Sequence, residues 1–479
     1  MAKAKKITLN PISRLEGHGK VNVYLDARGE VESAQFHVTQ FRGYERFTHG
    51  RPFEEMPMIT QRICGICPVS HQLGSAKACD AILGVPIPET AYLLRKLLHK
   101  GQYIQSHALH FFHLASPDLL LGWDADPAIR NVVGVIGKFP DAAVKGIKLR
   151  KYGQEIIKAL GGKKVHPAFA IPGGVTNGLS EDDRDRLLSG MDEAYETCQL
   201  ALDLLKDWQA KHLDEVKRFA NFESNYAGLV DKDGAIALYD GNWRIVDKDR
   251  KKLAEFEPKK YLDYIGEKVE PWSYMKFPYY KPQGYPGGCY RVGPLGRLNA
   301  CDKIATPKAN KELENFRNLA EKGLRGATLL YHYARGIELL YALERTEETL
   351  KHPMICGTDI RYTGNPMNEE GVGVIEAPRG VLIHHYGVDK FGKITKANLI
   401  VATGHNNIAI NRSVELVAKE YIHKGKVEEG MLNRVEGAIR CYDPCLSCAT
   451  HAVGKMPLIV RIHDAGGELL REIQRPRSR

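Results

Sequence analysis

Two stretches of the chain are predicted to form β-hairpins, and in the first of them apolar residues alternate with other residues with a period of two. The first stretch covers residues 20–38, with a turn at Asp26–Gly29, and the second covers residues 380–402, with a turn at Asp389–Gly392. Residues 227–300 carry Asp-Gly turns, six prolines and many tyrosines, which predicts short strands joined by ordered loops. The strands are therefore expected in small, separate groups.

Helical periodicity dominates elsewhere. Leucines and aromatic residues recur near helical spacing from 90 to 114, which predicts a long helix with one buried face. A second helical tract is predicted from Ser180, a suitable N-cap, to about Phe222, and a third over 311–350. No alternation of strands and helices is long enough for a doubly wound sheet. The sequence predicts an α+β protein, predominantly helical, in one large unit with a long-helix core and small peripheral β-hairpins and sheets.

Glycine-rich phosphate-binding loops do not occur in the sequence. It contains neither Gly-x-Gly-x-x-Gly nor a P-loop. Gly371-Val-Gly373 is too short a match, and no helix is predicted to follow it. We therefore expect that this chain binds neither a dinucleotide nor ATP by itself.

The composition is that of a globular protein, with 43% hydrophobic and 26% charged residues, which excludes a disordered or collagen-like chain. No run approaches eighteen apolar residues, and polar residues follow the basic N-terminus where a signal peptide is apolar. We therefore expect a cytoplasmic protein with no transmembrane segment. The formal charge is +10, but the densest basic cluster, at 247–252, is interleaved with aspartates. A solvated loop is favoured there, and nucleic acid is not an expected partner.

Four of the ten cysteines form two Cys-x-x-Cys pairs, Cys64 with Cys67 and Cys445 with Cys448. In a chain without an export signal, such pairs indicate metal or redox chemistry rather than disulfide bonds. Two intervening residues let both thiolates turn toward one point, so each pair can clamp a metal. Four thiolates suit zinc, an iron–sulfur cluster, or nickel with iron.

Structural zinc is the commonest occupant of paired Cys-x-x-Cys sequences. A zinc ribbon usually joins its pairs over a short loop, whereas 377 residues lie between Cys67 and Cys445. A shared site would therefore be built from the two ends of the chain. A histidine follows each pair, at His71 and His451, and either could ligate a metal, hydrogen-bond a thiolate or belong to an ordinary helix.

The segments around the two pairs, Arg62–Cys67 and Asp443–His451, resemble the paired signatures of the nickel–iron hydrogenase large subunit. Further segments resemble that family in the same order along nearly the whole chain: Arg14–His18, Phe41–Glu45, Ser106–His110, Pro172–Gly174, Tyr290–Pro294, Glu376–Gly380 and Ala402–Asn407. The resemblance implies an enzyme subunit that splits H₂ heterolytically and reversibly at a nickel–iron centre.

The resemblance also implies the metal ligands. Cys64 and Cys445 match the terminal nickel ligands, and Cys67 and Cys448 match the cysteines that bridge nickel to iron. Iron would carry carbon monoxide and two cyanide ligands, which no side chain provides. Thiolates keep nickel electron-rich, and the terminal thiolate of Cys445 can accept a proton when H₂ is split.

Carboxylates near the site have implied roles as well. Glu16 matches the glutamate that passes a proton onward from a terminal cysteine, although a surface or capping role is the usual fate of a glutamate. Glu45 matches a ligand of a magnesium-type ion, with the main-chain carbonyl of Leu399 and the side chain of His451 completing the set. Oxygen donors suit such a hard ion.

The remaining implied residues surround the metals. Arg379, after Pro378, matches a guanidinium poised over the metals that can stabilise developing negative charge, although a buried salt bridge alone would also explain it. Thr403 matches a hydroxyl residue that hydrogen-bonds an iron cyanide. His71 is expected to donate a hydrogen bond to a thiolate, and Asp443 to orient Arg379.

Two features bear on the branch of the family. Membrane-associated relatives have an aspartate where this chain has Ser106, so the charge around Arg379 is expected to differ from theirs. The tracts Glu270–Tyr280 and Tyr290–Asn299 and the Gly-Val-Gly segment resemble the cytoplasmic bidirectional branch. This implies a small subunit with iron–sulfur clusters and diaphorase subunits with FMN that reduce NAD. The branch coupled to heterodisulfide reductase and ferredoxin is the alternative, and a non-catalytic scaffold descended from such an enzyme is a further one.

The resemblance divides the chain into two parts. Residues 1–451 would form the mature large-subunit domain, and residues 452–479 a maturation peptide cleaved after His451 by a specific endopeptidase once nickel-insertion proteins have acted. The apolar alternation at Met456–Val460 also permits an ordinary strand in this tail.

Overall fold

The computed structural model describes residues 5–365, 368–449, 459–463 and 469–474. The α-helices are α1 (Tyr44–Phe47), α2 (Met56–Thr60), α3 (Pro68–Leu83), α4 (Glu89–Leu109), α5 (Ser116–Leu121), α6 (Val132–Lys138), α7 (Pro140–Gly161), α8 (Glu181–Ser189), α9 (Met191–Lys211), α10 (Leu213–Arg218), α11 (Tyr261–Tyr264), α12 (Gly293–Ala300), α13 (Pro307–Leu319), α14 (Leu330–Leu350), α15 (Ala402–His405), α16 (Asn407–Tyr421), α17 (Glu429–Arg440) and α18 (Leu446–Ala449).

The strands are short by comparison. They are β1 (Lys5–Leu9), β2 (Gly19–Leu25), β3 (Val31–Val38), β4 (Ala170–Ile171), β5 (Gly174–Val175), β6 (Asn225–Val230), β7 (Asn242–Val246), β8 (Lys252–Phe256), β9 (Ile265–Lys268), β10 (Phe277–Tyr280), β11 (Tyr290–Arg291), β12 (Glu370–Ala377), β13 (Gly380–Val388), β14 (Ile394–Ile400), β15 (Ile459–His463) and β16 (Leu469–Gln474).

Long helices form the centre of the fold. Helix α4 packs against α7 and α14, and α14 packs in turn against α9. The strands form small sheets with orders β1-β2-β3, β11-β6-β7-β8 and β12-β13-β14 and three two-stranded ribbons. The predicted fold class is confirmed, and one sheet lies deeper than expected, because all nine residues of β13 are buried. Among the described residues, no helix has the length and apolar character needed to cross a membrane.

Both predicted hairpins are confirmed. Strands β2 and β3 pair antiparallel, and the Asp26 carboxylate accepts hydrogen bonds from the backbone amides of Arg28 and Glu30 in the turn between them. Strands β13 and β14 pair in the same way, and Asp389 accepts from the amides of Phe391 and Lys393. Local turn chemistry sets both connections, which is why the sequence predicts them.

All three predicted helical tracts are divided in the structure. The helix predicted over 90–114 ends as α4 at Leu109 and continues as a π-helical turn, His110–Ala115. The tract predicted over 311–350 is wrong as a single helix, because it breaks at Ala320–Leu324, where Gly323 has a φ of +80°. The tract after Ser180 contains three helices, and the Ser180 hydroxyl caps α8 by accepting from the Asp183 amide.

The tyrosine-rich region 227–300 contains the expected short strands, but its last eight residues form a helix that the sequence did not predict. Helix α12, Gly-Pro-Leu-Gly-Arg-Leu-Asn-Ala, includes two glycines, which lower helix propensity. All eight of its residues are buried. Tertiary packing therefore determines this helix against its local preference.

The Gly-Val-Gly segment has a packing role. It lies in β12, which runs against α3, and a Cβ atom on Gly373 would lie 2.0 Å from the carbonyl oxygen of Gly74. A Cβ on Gly371 would lie 2.1 Å from the carbonyl oxygen of Ala78. Only glycine allows the strand to lie this close to the helix backbone.

Candidate metal centre

Four buried cysteines from the two ends of the chain meet at one point. Cys64 follows a short 3-10 turn and Cys67 precedes α3, while Cys445 and Cys448 lie just before and within α18. The Sγ atoms of Cys64 and Cys445 are 3.2 Å apart, those of Cys67 and Cys448 are 3.4 Å apart, and those of Cys445 and Cys448 are 2.7 Å apart. All four sulfur atoms lie within 4.8 Å of one another.

The chain stabilises negative charge unequally on these sulfurs. The backbone amides of Ile66 and Cys67 donate to the Cys64 sulfur at 3.1 and 3.2 Å. Hydrogen bonds from Cys445 and the other two thiols lower the pKa of Cys67 well below its ordinary value. Burial raises the pKa of Cys445 and that of Cys448. Four converging, buried sulfur atoms fit a soft metal or a pair of metals, and nickel with iron suits this donor set.

Glu16 is fixed against this cluster by its backbone and its side chain. Its carbonyl accepts from the Leu446 amide at 3.0 Å, and its Oε2 accepts from the Ser447 amide at 3.0 Å. The same Oε2 lies 3.0 Å from the Cys445 Sγ. Gly17, with a φ of +91°, allows this close approach, because a Cβ there would lie 2.7 Å from the Cβ of Leu446. The carboxylate is therefore held at hydrogen-bond distance from one thiol.

Arg379 and Asp443 form a buried ion pair next to the thiols. The Nε of Arg379 donates to the Asp443 carbonyl, and its Nη2 lies 3.0 Å from the Asp443 carboxylate. Burial opposes the guanidinium charge, but Asp443 and the nearby Cys445 thiolate raise the pKa of Arg379 well above its ordinary value. Its Nη1 has no hydrogen-bond partner among the described residues. The guanidinium therefore keeps one donor free beside the cluster.

Thr403 and His71 lie at the edge of the cluster. The Thr403 hydroxyl oxygen accepts from the Cys445 amide at 2.9 Å. His71 lies one turn into α3, and its backbone amide donates to the carbonyl of Cys67 at 3.4 Å. Its Nδ1 lies 3.2 Å from the Nε2 of His384. Both residues thus contact the cysteines through the backbone or a hydrogen bond.

The structure brings Glu45 and Leu399 together, and the contact is made by the backbone amide of Leu399, whereas the sequence resemblance implied its carbonyl as a metal ligand. The Glu45 Oε1 accepts from the Leu399 amide at 2.8 Å. Burial raises the pKa of Glu45, and the positive charge of Lys276 opposes this shift. His451, the third predicted ligand, lies outside the described residues.

Sequence analysis missed a buried ionic network that holds the loop before Arg379. Arg297 donates to the Glu338 carboxylate at 2.5 and 2.6 Å and to the Glu376 carboxylate at 2.6 Å. It also donates to the carbonyls of Ala377 and Pro378 at 2.9 and 3.0 Å. Burial raises the pKa of Glu376 to about 7. Arg297 opposes this shift, but its charge is shared between the Glu376 and Glu338 carboxylates. A charged residue in the otherwise apolar α12 was the available signal.

A second buried network, also missed, anchors the segment that carries Glu16. Asp118 pairs with Arg14 at 2.5 Å and with Arg440, and the amide group of Asn433 donates to the same carboxylate at 2.9 Å. Arg14 itself has a φ of +54°, so the backbone turns sharply just before Glu16. Ser106, by contrast, is buried in α4, and its hydroxyl has no partner among the described residues.

These features define a mostly helical metalloprotein whose buried four-cysteine site is flanked by the carboxylates of Glu16 and Asp443 and by the guanidinium of Arg379. The chain belongs to the nickel-dependent hydrogenase family, whose model matches residues 42–126 and 211–451. A HoxL-like model matches residues 6–41. The predicted membership of the nickel–iron hydrogenase large subunit family is confirmed.

Individual relatives cover almost the whole chain. It is 46% identical to the beta subunit of the NAD-reducing hydrogenase HoxS of Cupriavidus necator, over 98% of this chain and 99% of that one. It is 47% identical to a subunit of the F420-non-reducing hydrogenase vhu of Methanocaldococcus jannaschii, over 86% of this chain and 99% of that one.

Solved structures agree in fold. A crystal structure of an NAD+-reducing [NiFe]-hydrogenase in the H₂-reduced state superposes with a TM-score of 0.91 at 45% identity, covering 93% of this chain and 99% of that chain. The Ni-Fe-Se hydrogenase of Desulfovibrio vulgaris Hildenborough superposes with a TM-score of 0.76 at 25% identity, covering 94% and 100% of the two chains.

Proposed function

We propose that this chain is the hydrogen-activating subunit of an NAD-reducing hydrogenase. The observation that carries the proposal is the buried set of four thiols with a carboxylate held 3.0 Å from one of them. The similarity to an NAD-reducing hydrogenase subunit over nearly the entire chain supports the choice of electron acceptor. Electrons would pass to NAD through a small subunit with iron–sulfur clusters and then through diaphorase subunits that contain FMN.

The cysteines divide into two roles in this proposal. All four cysteines would hold the nickel–iron centre, Cys64 and Cys445 as ligands of nickel and Cys67 and Cys448 as ligands shared with an iron that would carry carbon monoxide and two cyanides. When bound, this centre supplies the electron-rich metal pair at which H₂ is polarised. The lowered pKa of Cys67 suits metal binding, because cysteine ligates metals as a thiolate.

Proton transfer is assigned to two residues of this chain. When H₂ is split, the Cys445 sulfur would accept the proton while the electron pair stays with the metal centre, and the Oε2 of Glu16 would then receive the proton across 3.0 Å. The amide of Ser447 holds the same oxygen in place. This fixed geometry favours a direct transfer without an intervening water.

The other site residues position charge around the reaction. Arg379, held on the Pro378 segment, has an Nη1 donor without a partner among the described residues, and its positive charge would stabilise negative charge that develops at the metals. Thr403 orients a cyanide ligand while its oxygen holds the Cys445 amide. Glu45, the Leu399 carbonyl and His451 would hold a magnesium-type ion, which would relieve the unfavourable charge of the Glu45 carboxylate.

Electrons must leave through a partner subunit. Within the described ranges, only Cys64, Cys67, Cys445 and Cys448 form a group of metal-ligating side chains. We therefore assign the electron relay to the iron–sulfur small subunit, in a cytoplasmic complex. Nickel-insertion proteins would load the site, and an endopeptidase would then remove residues 452–479.

Infrared spectroscopy tests the proposed metal centre, and an assay of NAD reduction tests the proposed electron acceptor. The purified complex should show absorption bands of metal-bound carbon monoxide and cyanide and should contain one nickel per chain. It should also form NADH from NAD under H₂. A fully matured, nickel-containing sample without those bands would refute the proposed metal centre.

A second electron acceptor is favoured by one observation, the 47% identity to an F420-non-reducing hydrogenase subunit. In that case the complex would lack FMN-dependent NAD reduction and would instead deliver electrons from H₂ to ferredoxin and heterodisulfide reductase subunits. H₂-dependent reduction of an artificial dye without NADH formation, by a complex that contains all of its subunits, would favour this alternative.

A further inference from the structure

A cavity of about 480 Å³ opens on the side of the helical core, separate from the metal centre. Its walls are the first half of α4, the second half of α14 and the loop 231–241. Tyrosine rings form its apolar surfaces, and cationic side chains project between them; these residues are Tyr92, Tyr239, Tyr341, Lys96, Lys100, Lys232 and Arg345. Cavities of this size accommodate small molecules.

Two lysines of the cavity, Lys96 and Lys100, have no ion-pair partner among the described residues. Lys100 is only 4% exposed, and its ammonium lies 5.8 and 5.9 Å from the ring centres of Tyr341 and Tyr103. The Lys96 ammonium lies 4.8 Å from the ring centre of Tyr92. In the part of the chain that the structure describes, neither lysine forms an ion pair. A buried ammonium without a counterion is costly by several kcal/mol.

The acidic side chains of the same walls are already engaged. Asp240 pairs with Lys77 at 2.6 Å, and Glu348 pairs with Arg345 at 2.6 Å. The Asp231 carboxylate accepts hydrogen bonds from backbone amides of its own turn. No carboxylate of these walls therefore lies in contact with Lys96 or Lys100.

Electrostatic effects on the two lysines agree with this geometry. Burial lowers the pKa of Lys100 well below its ordinary value, and the positive charges of Lys96 and Arg345 lower it further. Burial and Arg345 also lower the pKa of Lys96. An anion bound between the two ammonium groups would replace their mutual repulsion by attraction.

We propose that this cavity binds a small molecule bearing a phosphate group, with Lys96 and Lys100 as the ligands of the phosphate and the tyrosines as the walls around the rest. Lysine ammonium groups bind phosphate as compact point charges. The volume exceeds that of a phosphate ion, which leaves room for an organic body between the aromatic rings.

One turn of α4 leads from the cavity to a residue that hydrogen-bonds the backbone segment before Arg379. Tyr103 follows Lys100 by one turn, and its hydroxyl donates to the carbonyls of Glu376 and Ala377, both at 3.1 Å. Those carbonyls belong to the segment that leads to Arg379. A ligand on Lys100 would therefore lie close to the backbone that positions the guanidinium.

Titration calorimetry with inorganic phosphate on the purified, nickel-loaded complex tests the proposal. We expect saturable binding of one phosphate per chain in a chloride buffer of low ionic strength. Lys100→Met and Lys96→Met keep most of the unbranched side chain and remove its charge, and each should weaken binding at least tenfold, which corresponds to about 1.4 kcal/mol. Lys96 is only half-buried, so its variant tests the site even where Lys100→Met alters folding.

Lys308→Met provides the matched control, because the Lys308 ammonium also lies over a tyrosine ring, that of Tyr195 at 4.1 Å, but outside the cavity. Its affinity for phosphate should equal that of the unmodified complex. An absence of saturable binding, or equal affinities in all three variants, would overturn the proposal. Nickel content and H₂-dependent dye reduction, measured on the same samples, show that each variant is folded.

Discussion

At the scale of single residues, the Glu16 side chain shows how a flexible carboxylate is given one position. Its Oε2 is bonded to the Ser447 amide and lies 3.0 Å from the Cys445 sulfur, and its backbone is bonded to the Leu446 amide. Three contacts to one short segment leave the carboxylate little freedom. Such a carboxylate is suited to proton transfer, because the distance is set before the reaction starts.

Replacement of Glu16 by Gln tests this role. The amide keeps the shape of the side chain but cannot take up a proton, so turnover should fall at least about 100-fold, within the usual range for loss of a general acid–base group. Nickel content should not change, because Glu16 is not a proposed metal ligand. H₂-dependent dye reduction and metal analysis measure the two quantities.

Glu32→Gln is the control for that substitution, because Glu32 is an exposed glutamate of β3. It should retain full activity. Unchanged activity in Glu16→Gln would contradict the proposed proton transfer, and a loss of nickel would indicate a structural role instead.

At the scale of elements, the Asp118 network ties three distant segments together. Asp118 in α5 pairs with Arg14, two residues before Glu16, and with Arg440 at the end of α17, three residues before Asp443. Although burial opposes its charge, Arg440 and Arg14 lower the pKa of Asp118 below its ordinary value. This carboxylate therefore stabilises the fold in its ionised form.

Asp118→Asn should lower the free energy of unfolding by about 3–5 kcal/mol at neutral pH, because it leaves two arginines without their buried partner. The contribution of the ion pairs is present above the ordinary pKa of an aspartate and is lost as the pH falls through the lowered folded-state value. The difference between the two proteins should thus be constant near neutrality and shrink below about pH 4. Urea unfolding at several pH values measures it.

Asp124→Asn is the matched control, since Asp124 also pairs with an arginine, Arg434, but is 72% exposed. Its effect should stay within about 1 kcal/mol, as for other surface pairs. Equal effects of the two substitutions at neutral pH would show that burial of the Asp118 network adds no stability.

Strand β12 lies in close contact with the backbone of α3. Gly373→Ala would place a Cβ 2.0 Å from the Gly74 carbonyl oxygen, so strand and helix must separate. We expect a loss of about 1–3 kcal/mol in unfolding free energy, the usual cost of overpacking. Because β12 leads to Pro378 and Arg379, H₂-dependent dye reduction should fall as well.

Gly137→Ala in α6 is the control, because a Cβ there meets no atom within 4 Å and alanine favours a helix. Its unfolding midpoint in urea should be equal or higher. A Gly373→Ala protein with the unfolding midpoint of the unmodified protein would show that the strand can shift without cost.

At the scale of the whole molecule, the metal centre joins residues that are far apart in sequence. Cys64 and Cys445 are separated by 381 positions, and their sulfurs lie 3.2 Å apart. The second pair comes close to the end of the chain, and beyond it the described tail residues form an antiparallel ribbon, β15 with β16. Part of the predicted strand at Met456–Val460 lies outside the described residues, and the described part is in β15.

A gene that ends at His451 should yield a subunit without nickel and without hydrogenase activity, because the tail is proposed to keep the second cysteine pair open until the metals are inserted. Nickel analysis and H₂-dependent dye reduction check the outcome. A gene lacking only residues 475–479 is the control and should give an active enzyme. Full activity of the protein that ends at His451 would refute the role of the tail in maturation.

The sequence by itself determined those features that depend on neighbouring residues. Turn residues such as Asp26 and Asp389 specify hairpins through their own backbone contacts, and two intervening residues make each cysteine pair a metal clamp. The family motifs also indicated Glu16 and Arg379. These signals are local, so they can be recognised before the chain is folded.

Only the tertiary structure decided which charges are buried together. Arg297 in the glycine-containing α12 holds the carbonyls before Arg379, and the break at Gly323 separates two helices that one periodic pattern had joined. Lys100 lies on the helix predicted over 90–114, but its lack of a counterion became visible only with α14 and the loop 231–241 in place. Burial and pairing depend on residues distant in sequence, and the free energy of a buried charge is set by those neighbours.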